Sequence, residues 1–181
     1  MTVDPNGMTL RRFFAGVAEY IFEAELGVAD PPLIDYLSDL LYRFLRSDAG
    51  HRVRALNGRP LLDVDELLVE AEGRVGDARR EVHRHIGDFT LFWAGLFPEA
   101  LRRTPPAHGN DQFLDYCQQG KRAYHIASQI EVEPVDDAPP QVLERLSVEF
   151  EMCAYGLREV RREWERRERG DDDTPRTLLF G

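Results

Sequence analysis

Nine residues spaced three or four apart, Leu68, Ala71, Val75, Ala78, Val82, His85, Phe89, Phe92 and Leu96, run without interruption through the middle of the chain. That alternation is the period of one helix face, whereas a strand repeats every second residue. Asp63 precedes the seam as an N-cap, with Glu66 three residues on as its capping-box partner. A straight helix over residues 63–96 would be about 51 Å long at about 1.5 Å per residue. A globule of 181 residues is only about 40 Å across. The rod is therefore expected to kink, near Gly73/Gly76 or at Gly87.

The same period organises the flanks, and no stretch alternates like a strand. A first helix is expected from about Thr9 to Leu26, with Leu10, Phe14, Val17, Ile21 and Ala24 on one face and Gly27 past its end. Asp30 caps a second, whose first turn tolerates Pro31 and Pro32 because their missing donors have no helical partner there. Its wide stripe, Leu33, Leu37, Leu40 and Phe44 with Ile34, Leu41 and Leu45, calls for more than one covering neighbour. Gly50, Asn57, Gly58 and Pro60 make 48–62 a connection, and Pro98, Pro105, Pro106 and Gly109 do the same for 97–110. A fourth helix, Asp111 to about Ile130, carries Phe113, Cys117, Gly120, Tyr124 and Ala127 on one face. The last has Leu143, Leu146, Phe150, Cys153, Leu157, Val160 and Trp164 at heptad spacing and stops at Gly170. The expected fold is all-α: a single-domain antiparallel bundle of about five main helices over residues 1–170, followed by a flexible acidic tail, 171–181.

Composition narrows the function classes. A net charge of -10 and a pI near 5.0 repel phosphate backbones and anionic lipid, which argues against nucleic-acid and membrane-surface roles. The longest apolar run, Phe89 to Phe97, is half the roughly 18 residues a spanning helix needs. Cys117 and Cys153 are the only cysteines and both fall on apolar helix faces, so they are expected as reduced, core-packed thiols in a cytoplasmic protein. Lys121 is the only lysine, and an arginine-dominated basic set reflects GC-rich codons, pointing to a bacterial source.

Candidate chemistry concentrates around His85. Residues three and four apart share a helix face, so Glu81, His85 and Asp88 can point at one spot, and His125 of the fourth helix can join them as a ligand set for a transition metal. The paired Glu-x-x-His motifs of di-iron bundles and the His-Glu-x-x-His zinc motif are both missing. The competing reading is a core histidine held by a carbonyl or a carboxylate. Phe89, Phe92, Trp93 and Tyr124 could also wall an apolar ligand pocket, with His85, Asp88 and His125 as its polar points.

Nucleophile elbows, phosphate-binding loops and dinucleotide fingerprints do not occur. Cys117 and His125 are about 12 Å apart along one helix, too far for a nucleophile and base. Catalysis therefore has no positive support, and no cofactor is expected beyond the metal of the rival reading. Arg43 and Arg46, with Arg52, Arg54 and Arg59, form a basic patch suited to an acidic or phosphorylated partner. Trp164 beside Arg161, near the end of a helix long enough to overhang the globule, has the composition of an interface anchor. The leading expectation is a protein-binding or self-associating module without catalysis, and the alternative is a metal- or small-ligand-binding bundle, conceivably an oxidoreductase, centred on His85.

Overall fold

The computed structural model describes residues 5–46, 63–103, 111–133 and 138–170, the side chains of 5–8 excepted. The described residues are mostly helical, with no strand among them. In order they form α1 (Pro5–Glu19), a π-helical continuation (Tyr20–Glu25), α2 (Pro31–Leu45), α3 (Val64–Glu72), α4 (Gly76–Leu96), α5 (Pro98–Arg103), α6 (Gln112–Gln129), α7 (Pro140–Val148) and α8 (Phe150–Gly170). No described helix is long and apolar enough to cross a membrane.

The starts are set by side chains chosen for the purpose. Asp30 accepts from the Leu33 amide at 3.3 Å, Asp63 from Asp65 at 3.0 Å and Asp111 from Phe113 at 2.9 Å. Each satisfies an amide that the first turn leaves without an intrahelical partner. The π segment widens the end of α1, with Leu26 N–H reaching the Ile21 carbonyl at 3.0 Å, and Gly27 closes it at a φ of 68°.

Two long rods expected from the sequence are each divided in the structure, and the short α5 lies in the expected 97–110 connection, so about five helices become eight α-helices among the described residues. The third parts at Gly73–Val75, and Gly76 opens α4 at a φ of 58°, a left-handed conformation that a side chain would strain. Val75 and Ala78, read as seam residues, are exposed at that break. At Gly87 the helix runs on. The last rod is interrupted at Glu149, between α7 and α8. The connection at 48–62, with Arg52, Arg54 and Arg59, and the tail 171–181 lie outside the described residues.

Helix α4 is the centre. From Val82 to Leu96 all but Phe89 and Trp93 are buried, with α6 as its most extensive neighbour and α8 and α3 next. The main core gathers Phe14, Phe22, Leu37, Leu41, Phe150 and Leu157 from α1, α2, α8 and the π segment around it. A smaller cluster, Val64, Leu67, Ala71, Val82, Ile86 and Ala123, is where α3 pads the seam between α4 and α6. Each of the larger side chains contributes about 1.5–3 kcal/mol of burial. A helix enclosed on every side has nowhere to send its polar residues but inward, and this is what builds the site.

Candidate functional site

Asp88, 1% exposed, sits at the middle of α4. Its Oδ1 accepts from the hydroxyls of Tyr36 (2.6 Å) and Tyr124 (2.7 Å), and its Oδ2 from Arg43 Nη1 at 3.1 Å. Arg84, one turn earlier on α4, donates through Nε to the Tyr36 hydroxyl at 3.1 Å. Arg43 and Arg84 both lie over the Tyr36 ring, 5.8 and 5.4 Å from its centre. Arg43 is anchored in turn by Asp39, Nε to Oδ2 at 2.7 Å. The centre therefore joins α2, α4 and α6 through one carboxylate.

Glycine makes the geometry possible. A Cβ on Gly87 would fall 2.6 Å from the Tyr124 ring, and one on Gly120 would fall 2.4 Å from Thr90 Oγ1 and from Phe150. Without those atoms α6 comes close enough for the Tyr124 ring to lie against the α4 backbone and its hydroxyl to reach Asp88. The electrostatics follow from enclosure: burial, then the neighbouring Asp88 charge, drive the Tyr36 and Tyr124 phenols well above their ordinary pKa. Burial opposes the charge on Arg43 and Arg84, but Asp88 and Tyr36 outweigh it and hold both firmly cationic. Arg80, two turns before Asp88, is also buried and donates to the Ala138 carbonyl at 2.6 Å. Burial and then Arg84 lower its pKa.

The structure assembles only part of each expected set. Asp88 and Tyr124 meet, and His85 is buried as its registry implied, stacked on Phe44 with centroids 5.9 Å apart and next to Phe89 at 6.3 Å. Phe89, Phe92 and Trp93 pack on one another and on Phe97 and Tyr116 as a continuous aromatic layer. His125 is elsewhere, exposed, with Nδ1 3.3 Å from Glu144, and Glu81 is half exposed beside Arg84. Glu81, His85, Asp88 and His125 thus do not converge, and no group of three or more metal-ligating side chains occurs among the described residues.

The interface candidates also change place. Trp164 is 3% exposed, edge-on to Phe14 (5.2 Å) and Phe13 (6.2 Å), with Nε1 donating to Glu168 at 3.0 Å, so α1 covers the anchor expected to be free. Arg161 turns inward to the Leu96 carbonyl and to Glu99 at 2.7 Å. Arg43 belongs to the Asp88 centre, and Arg46 bonds the Tyr42 hydroxyl. Sequence reasoning missed Tyr36, Arg84 and Arg80. The available signal was the line Arg80, Arg84, Asp88, polar at every fourth position along a segment otherwise read as core.

No family model matches the chain, and neither a curated protein nor a solved structure is similar enough to be matched. The class that the fold defines is an all-helical protein built around a central buried helix with a polar heart.

Proposed function

We propose that the protein acts by binding another polypeptide, in the first place a second copy of itself, through the outer face of the α7–α8 rod, with no chemistry of its own. The observation that carries this reading is the pair Val148, at the end of α7, and Tyr155, in the second turn of α8, 67% and 51% exposed. Beside Val148 lies an open groove of about 560 Å³, walled by Pro140, Gln141, Glu144, Arg145 and, from α6, Ser128 and Gln129. Charges accompany the pair, Glu144 and Glu151 on one side of Tyr155, beside His125 and Lys121, and Arg158, Arg162, Arg166 and Arg169 on the other, of which Arg162 and Arg166 pair with Glu159 and Glu163. An antiparallel, two-fold pairing lays the acidic end of one copy on the basic end of the next, the self-complementarity that an isologous dimer needs. With Trp164 and Arg161 turned inward, Tyr155 takes over as the anchor.

The same reading makes residues 1–170 one folded unit with 171–181 as its acidic extension, working in the bacterial cytoplasm on protein partners and away from nucleic acid. The two buried free cysteines, the arginine-dominated basic set and the charge of -10 support it. Light scattering on a sizing column tests it. The expected result is a mass near twice 20.8 kDa that falls to the monomer in Tyr155→Asp. A monomer at every accessible concentration overturns self-association.

A second reading, a small-ligand-binding bundle around His85 and Asp88, is favoured by one observation: Arg43 Nη2 is buried without a hydrogen-bond partner beside Asp88. A carboxylate-bearing molecule would supply that acceptor. Native mass spectrometry of freshly purified protein decides it, since a chain carrying no added mass removes this reading.

A further inference from the structure

The geometry points to a binding site for a tetrahedral oxyanion, a phosphoryl or sulfuryl group, at Arg79 of α4 and Arg122 of α6, the two cations that act on the buried ring of His83. His83 is 5% exposed, and neither ring nitrogen has a hydrogen-bond partner. Buried polar groups are normally bonded, so an imidazole with both nitrogens idle calls for a cause. The charged groups that act on it are Arg79, one turn back on the same helix, and Arg122, from the helix packed against it. Among the described residues no carboxylate joins them. Burial first, then these two guanidiniums, push the ring down to about 4 and keep it neutral.

Arg79 and Arg122 are themselves exposed, and neither makes an ion pair with a described residue. Elsewhere in this chain of net charge -10, Arg43, Arg74, Arg145, Arg161 and Arg167 each hold a carboxylate. Two positive heads acting on one neutral buried base, with no carboxylate among them, form a site whose missing component is an anion. Guanidinium groups suit tetrahedral oxyanions because their planar donors meet two oxygens at once. An oxyanion on the two heads offsets their field at the ring, so its binding raises the His83 pKa from about 4. This site is independent of the α7–α8 face.

The test follows the His83 ring by NMR while sodium phosphate is added at constant ionic strength, with sodium chloride as control and phenyl phosphate as a monoester arm. The expected result is a saturable shift with a dissociation constant of about 1 mM at pH 6, accompanied by upward movement of the His83 titration. In the Arg79→Gln/Arg122→Gln double variant affinity falls at least about tenfold, the equivalent of one good charge-assisted contact. Tighter binding of phenyl phosphate assigns the ligand to a phosphate ester, and equal binding assigns it to the free anion. A response no greater than that of chloride, or one that survives intact in the double variant, overturns the site.

Discussion

Asp88 and His83 are both ionisable, both buried and five residues apart on α4, yet one is bonded through both its oxygens and the other through neither nitrogen. Five residues turn a helix by about 140°, so the two side chains leave it towards different neighbours. Asp88 meets the polar faces of α2 and α6, where Tyr36, Arg43 and Tyr124 were available. His83 meets another part of α6, where the nearest charges are arginines of its own sign when protonated. A buried polar group is thus not one kind of object. Where partners arrive from two other helices it fixes their arrangement, and where none arrives it is a point of tension that pH or a ligand can act on.

The largest effect is expected from removing the bonded member. Asp88→Ala leaves two buried phenols and a buried guanidinium without their common acceptor, and breaking a buried charged pair in this way costs about 3–5 kcal/mol. For a chain of this size the melting temperature falls by about 2–4 °C per kcal/mol, a drop easily read by circular dichroism. A loss below about 1 kcal/mol, the level of an exposed ion pair, would mean that the network organises nothing. Asp88 would then resemble His83 after all.

Gly87→Ala acts on the same centre through sterics. The added Cβ meets the Tyr124 ring at 2.6 Å, so the ring must leave Asp88 or the two helices must part. Overpacking of this kind costs about 1–3 kcal/mol. The near-ultraviolet signal of the tyrosine should change with it, and in a Tyr124→Leu background most of the penalty should disappear. An equal penalty in both backgrounds would show that the close approach serves backbone packing alone.

Much of the framework was legible because it is local. Helical period and the caps at Asp30 and Asp63 are written within a few residues of where they act. His85 turns inward for the same reason, since the phase of its own seam settles that. The Asp88 centre was not legible, because Tyr36 and Tyr124 reach it from 52 and 36 residues away and nothing in their own segments marks them as its partners. Trp164 was misplaced by a length argument. A rod of about 45 Å, at about 1.5 Å per residue, overhangs a globule only if it is straight and uncovered, but it divides at Glu149 and α1 brings Phe13 and Phe14 over its end. The Arg80, Arg84, Asp88 line was visible, but spacing alone does not say whether such residues face water or each other.

The finest prediction concerns the unbonded member. Folding holds the His83 ring neutral down to about pH 4, whereas in the unfolded chain it takes a proton near 6.5. A base whose folded pKa is depressed stabilises the fold fully above 6.5, and that contribution is lost as pH falls from 6.5 towards 4, because the unfolded chain then binds the extra proton. The loss is about 1 kcal/mol at pH 6 and about 2 kcal/mol at pH 5. Other groups titrate over the same range, so the measured quantity is the difference between wild type and His83→Met, whose side chain has similar bulk and no charge to acquire. The two stability curves should run parallel above pH 7 and separate below it, the variant gaining on the wild type as acid is added. If they stay parallel down to pH 5, His83 finds a partner in solution that offsets its burial, and the contrast with Asp88 is one of degree. If phosphate at pH 6 closes the gap in the wild type alone, the idle ring and the two arginines that act on it answer to the same anion.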